Sequence, residues 1–137
     1  MKQIVCIVLT IVFFMSGCSS EGKSIATSSQ EVLPATSYAQ LMPLVGQQAM
    51  LLEFGSTTCA SCVEMGKLLR KVKNEYPQAH IYFIEVHNDQ QSTRNYGIQM
   101  IPTQIYLNTK GEEIDRHIGV VNYEQLIAKL KSEKIIF

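Results

Sequence analysis

The stretch LLEFGSTTCASCVEMGKLL, residues 51–69, decides how the rest of the chain is read. Met50 to Phe54 has the continuous apolar character of a buried strand, Gly55 to Thr58 is a polar turn, and two cysteines then open a helix. Cys59 and Cys62 are three apart, so on a helix they share one face within bonding reach. Ser56, Thr57 and Thr58 each carry a hydroxyl that could cap the helix by accepting a hydrogen bond from a free backbone N–H. Cys59 then stands at the positive end of the helix dipole, where a thiolate is favoured over a thiol. An accessible sulfur of low pKa with a second sulfur one turn behind it is what thiol–disulfide exchange requires: the first attacks and the second resolves the mixed disulfide.

Composition narrows the alternatives. The chain has 137 residues, 46% of them hydrophobic, enough for one domain with a real core. Its formal net charge of +0 gives no reason to expect nucleic acid or an acidic partner. Of the 4 cysteines, Cys6 and Cys18 fall in an N-terminal leader, leaving Cys59 and Cys62 for the folded part. A bridge between residues so close in sequence staples almost no loop, so the pair reads as chemistry and not as architecture.

The leader, MKQIVCIVLTIVFFMSGCSS, places Lys2 before an apolar run from Ile4 to Met15. That run is short for a bilayer span and suits a signal-peptide core. It ends in Met15-Ser16-Gly17-Cys18, which resembles a bacterial lipobox with Met in place of the usual Leu. The resemblance implies a signal peptide over residues 1–17 and lipidation of Cys18, and hence a bacterial envelope protein facing the periplasm or the cell exterior. An uncleaved anchor or a plain secretory peptide are the alternatives. Residues 18–36 are rich in Ser, Thr, Ala and Gln without apolar periodicity and read as a tether. Its root-mean-square reach is roughly 20–25 Å. The domain is then expected over residues 37–137.

Within that domain, SYAQLMPLVGQQ from Ser37 reads as a short helix ended by Gly46, with Pro43 set against it. After the cysteines, Met65, Leu68, Leu69, Val72 and Tyr76 recur at helical spacing until Pro77. His80 to His87 is the next strand, and Ser92 to Tyr96 a short helix ended by Gly97. Gln104 to Leu107 and Glu113 to Ile118 flank the Asn108-Thr109-Lys110-Gly111 turn as a hairpin. Asn122 and Gln125 form a capping box for a last helix with Leu126, Ile127 and Leu130 inward. Strands alternating with helices, then a hairpin and a closing helix, predict an α/β fold with a mixed sheet between helical layers.

A CxxC at a strand-to-helix junction of this kind is a cue for a thioredoxin-like redox motif. Tyr96-Gly97-Ile98-Gln99-Met100-Ile101-Pro102-Thr103 resembles the thioredoxin segment that ends in a cis-proline facing the cysteines, and Gly111 and Gly119 fall where that family keeps glycines. The resemblance covers residues 37–130. It implies a thioredoxin-like fold, with a central mixed β-sheet flanked by helices on both faces, that works without a cofactor. By the same likeness Cys59 is the nucleophile, Cys62 the resolving thiol, and Pro102 packs against the sulfurs. Ile101, Thr103 and Thr58 line the path of an incoming peptide. Glu53 matches a buried Asp of the family that handles the proton of the resolving thiol; the alternative is a carboxyl at a polar edge that accepts a bond from the helix end. Three positions depart from thioredoxin itself: Thr58 for a Trp, Ala60-Ser61 for Gly-Pro, and Glu85 or a neighbour for a lysine.

Ala60-Ser61 carries no cation and so lacks the histidine of strongly oxidising relatives; with the thioredoxin-like Ile101, the resemblance implies a reductase or isomerase of protein disulfides recharged by a membrane electron donor. A rival reading uses the same cysteines for Cu(I) or Zn, but His80, His87 and His117 lack ligand-like spacing to the pair. A third makes the pair an inert structural disulfide. The basic run Lys67, Arg70, Lys71, Lys73 lies opposite the apolar stripe and reads as the solvated face of its helix.

Overall fold

Strand β1, Met50–Gly55, is buried along its whole length and forms the middle of the molecule. A computed structural model describes residues 31–137. The expected signal peptide, Cys18 and the tether as far as residue 30 lie outside the described residues. Around β1 the order is α1 (Tyr38–Leu41), β1, α2 (Ala60–Glu75), β2 (Ile81–Glu85), α3 (Gln90–Asn95), β3 (Thr103–Leu107), β4 (Glu113–Ile118) and α4 (Tyr123–Ser132). These elements make a 4-stranded sheet in the order β2-β1-β3-β4. β1 runs parallel to β2 and antiparallel to β3, and β3 and β4 form the expected hairpin.

The alternation of β1 divides the core into two layers. Leu51 faces Met65, Leu69 and Val72 of α2 and Leu126 and Leu130 of α4, together with Ile81, Phe83 and Tyr106. Met50, Leu52 and Phe54 face the other side with Leu41 of α1, Ile84, Ile105, Leu107, and Tyr96 and Ile98 after α3. Helices therefore cover both faces, and this is why β1 carries no polar–apolar alternation. Cutting any one of the fully buried leucines to Ala costs about 2–5 kcal/mol.

Several boundaries differ from those read in the sequence. The tether does not extend to residue 36. Leu33 is 6% exposed and sits in the α2-side core, its N–H bonded to the Gly66 carbonyl at 3.1 Å. Ala35 bridges to Phe83 along the outer edge of β2. An isolated pair of apolar residues, Val32-Leu33, is too short to show as periodicity, yet it finds a groove because Gly66 has no side chain. A Cβ on Gly66 would meet Val32 Cγ1 at 2.5 Å. The first helix stops at Leu41, before Pro43, with turns continuing to Gln47. α3 begins at Gln90, earlier than read, because Asp89 gathers its start: Ser92 and Thr93 donate to it, as does Tyr38 N–H at 2.6 Å. The Asn122–Gln125 capping box of α4 is present as read. Among the described residues no helix is long and apolar enough to cross a membrane.

Candidate active site

β1 ends at Gly55, and the chain turns through Ser56-Thr57-Thr58 to deliver Cys59 and Cys62 above the end of the strand. The cap of α2 is Cys59 itself and not one of the three hydroxyl residues before it. Its backbone is extended (φ −96°, ψ 120°) and its Sγ accepts the Cys62 N–H at 3.4 Å. The hydroxyls are engaged elsewhere. Ser56 Oγ and Thr58 Oγ1 lie 3.0 Å apart, and Ser56 Oγ also accepts the Thr58 N–H at 3.3 Å. Thr57 N–H donates to Glu85 Oε2 at 2.7 Å. The turn is thus tied to β2 by a carboxylate.

The two sulfurs are unbonded, partly exposed at Cys59 and buried at Cys62, and 2.6 Å apart with the Cys62 thiol donating. Cys59 Sγ also lies 3.2 Å from Ser61 Oγ. The Cys62 thiol, then the Ser61 hydroxyl, then the backbone N–H groups of the first turn hold the Cys59 thiol below its ordinary range. Burial, with Cys59 and Glu53 nearby, pushes the Cys62 thiol up to about 12. The pair is therefore polarised: an accessible sulfur that ionises readily and a buried one that holds its proton. Gly55 makes room for this arrangement, since a Cβ there would stand 3.2 Å from Cys62 Cβ and 2.8 Å from Phe83 Cε2.

Glu53, two residues before Gly55 in β1, points to the same side of the sheet as Gly55 and α2. It is 0% exposed, and neither carboxyl oxygen has a hydrogen-bond partner. The polar-edge alternative does not describe this carboxyl. Burial pushes it up to about 8, with Gln104 opposing and the Cys59 sulfur adding to the rise. Glu85 is buried too, and burial alone would raise it, but the Thr57 N–H and the hydroxyls of Ser56 and Thr57 pull it below the ordinary carboxylate range. Two carboxyls beside one thiol pair are thus driven apart, one toward the acid and one toward the anion.

The start of β3 forms the facing wall. Phe54 pairs with Thr103, which brings Pro102 alongside the end of β1, and the Ile101–Pro102 peptide bond is cis. Ile101 is partly exposed and Met100, just before it, is 59% exposed. Thr103 differs from its expected place on the peptide path: its side chain is 1% exposed and its hydroxyl donates to the Met100 carbonyl at 2.7 Å, bracing the loop from below. Thr58 is exposed at the rim. Three contributors were not identified as site residues in the sequence. In the sequence Ser61 shows only a lack of charge, Glu85 only a departure from a lysine, and Gln104 only an ordinary strand position. Among the described residues no group of three or more His, Cys, Asp and Glu side chains could hold a metal ion.

Comparison with known proteins places these features in a lineage. The family model for thioredoxin matches residues 29–132. A thioredoxin of Chlorobaculum thiosulfatiphilum is 27% identical over 93 residues, which is 67% of this chain and 84% of that protein. Among solved structures, Fasciola hepatica thioredoxin superposes with a TM-score of 0.63 at 19% identity, covering 71% of this chain and 94% of its own. Malassezia sympodialis thioredoxin does so with a TM-score of 0.62 at 23% identity, over 74% and 90%.

Proposed function

The chain belongs to the thioredoxin family, and on that premise we propose that it is an extracytoplasmic, lipid-anchored thiol–disulfide oxidoreductase that reduces or isomerises protein disulfides. The observation that carries the chemistry is the polarised pair: Cys59 caps α2 and is accessible, while Cys62 is buried behind it at 2.6 Å. Cys59 as thiolate attacks one sulfur of a client disulfide; the other client sulfur leaves as a thiolate and takes a proton from solvent. Glu53, as carboxylate, accepts the Cys62 proton. Cys62 Sγ then attacks Cys59 Sγ, the second client sulfur departs, and the protein is left with a Cys59–Cys62 disulfide. Two electrons from an external dithiol donor restore it, and a membrane electron donor fits a protein held outside the cytoplasm. Ile101 and Thr58 flank the client, and the cis Pro102 sits at the same end of the sheet.

The envelope location rests on the leader ending in Ser16-Gly17-Cys18. It is tested by fractionating cells that express the full chain and a Cys18→Ala variant: the anchored form partitions with membranes and the variant does not. Equal partitioning would remove the lipid anchor. The reductase chemistry is tested by following reduction of a model protein disulfide with a chemical dithiol as electron source. Turnover must depend on both cysteines, and retention of full turnover in Cys59→Ser would overturn the reading.

A further inference from the structure

Glu53 and Gln104 occupy directly paired positions on β1 and β3, on the face covered by α2. Both are 0% exposed in a layer otherwise built from hydrophobic residues, Tyr106 among them. Both Glu53 oxygens and Gln104 Oε1 lack hydrogen-bond partners. A paired strand position holds side chains about 4.5–5.5 Å apart at Cβ, so the amide and the carboxyl are each other's neighbours. Gln104 is itself anchored. Its Nε2 donates to the Gly119 carbonyl at 3.1 Å, and the Gly119 N–H donates to the Pro102 carbonyl at 2.8 Å. An amide has two N–H hydrogens and one carbonyl oxygen, so after bonding Gly119 it still has one donor and one acceptor.

From this we propose that Gln104 is the positioning residue that serves Glu53 in both of its protonation states, and that it ties the proton acceptor to the cis-proline loop. When Glu53 is neutral, its O–H donates to Gln104 Oε1. When it has taken up charge, the free Nε2 hydrogen donates to the carboxylate. The second contact is charge-assisted and about twice as strong as the first, so Gln104 on balance favours the ionised form. That direction agrees with its opposition to the rise caused by burial. The other groups facing Glu53 are Cys59 and Cys62 at the start of α2, Glu85 on β2 and Tyr106 on β3. Farther out are His117, paired with Gln104 on β4, and Lys129 of α4 over the Tyr106 ring at 5.3 Å. None of these is a neutral donor–acceptor in register with Glu53.

The inference rests on Glu53 accepting the Cys62 proton, and the test separates the two. The full chain is compared with Gln104→Leu, Gln104→Met and Glu53→Gln, each checked for folding by its thermal midpoint. Two quantities are read: the carboxyl-carbon NMR titration of Glu53 and the pH dependence of mixed-disulfide resolution. Gln104→Leu and Gln104→Met are expected to move both midpoints up by about one unit, slowing resolution about tenfold at pH 7. Neither should alter the profile further when combined with Glu53→Gln. An unmoved or lowered midpoint, with Glu53→Gln still abolishing the pH dependence, would overturn the role of Gln104 alone. A profile indifferent to Glu53→Gln would overturn the proton-acceptor reading beneath it.

Discussion

The Cys59 sulfur accepts from both the backbone N–H and the thiol of Cys62, at 3.4 and 2.6 Å, so one atom closes the helix and faces its reaction partner. Capping and activation are the same contact. A hydroxyl cap at Ser56, Thr57 or Thr58 would have taken one of the free N–H groups of the first turn for its own oxygen, where here the Cys59 sulfur takes it.

In the proposed cycle the accessible sulfur attacks and the buried one resolves, so the two cysteine variants should fail differently. Cys59→Ser is expected to abolish reduction of a client disulfide. Cys62→Ser should accumulate a covalent mixed disulfide, visible as a mass increase that a reducing agent reverses. Equal loss with no trapped adduct would refute the division of roles.

Glu53 must be ionised to take the Cys62 proton, and its carboxyl is raised to about 8. Resolution should therefore accelerate with pH through about 8 in the parent. Glu53→Gln is expected to lose that limb and to be slowest, relative to the parent, above neutrality. A pH–rate profile shared by both would take Glu53 out of the mechanism.

The same carboxyl leaves a mark on stability. Its folded-state pKa lies above the ordinary 4.5, so between pH 4.5 and about 8 the native state holds a proton that the unfolded chain has released. The associated stability is complete below pH 4.5 and is lost as pH rises toward 8, at up to about 1.4 kcal/mol per unit. Denaturant titrations across this range should show a shallower decline in Glu53→Gln than in the parent. Parallel slopes would contradict the buried, protonated carboxyl.

Glu85 holds the turn before Cys59 through the Thr57 N–H. Glu85→Ala removes a charge-assisted hydrogen bond from the turn and should cost about 1.5–3 kcal/mol, read as a lowered denaturation midpoint. Thiolate formation at Cys59, followed by its ultraviolet absorbance, should also broaden or shift as the turn loosens. No change in either would reduce Glu85 to a bystander.

Much of this fold was legible because local and long-range signals agreed. The apolar run before Gly55, the helical spacing from Met65 to Val72, the Asn108–Gly111 turn and the Asn122 cap each specify one element, and together they force the mixed sheet. The site was legible in part. Cys59 and Cys62 stand out by residue type and spacing and Pro102 by the likeness of its segment to the thioredoxin one, whereas Gln104 and Glu85 are brought to the pair by strand register, which a sequence does not display. Thr103 shows the converse: it sits beside the proline in sequence, but alternation along β3 turns its hydroxyl inward. Leu33 was missed because two apolar residues after a polar stretch make no period, and only Gly66 gives them a place to pack.

The central claim is that Cys59 and Cys62 interconvert between dithiol and intramolecular disulfide. Equilibrating the protein across a series of glutathione redox buffers, then alkylating and weighing it, tests this most directly. A single two-electron transition is predicted, between a doubly alkylated species and an unalkylated one bridged at Cys59–Cys62. Cysteines that stay alkylatable at every potential, or that bridge only between molecules, would contradict it.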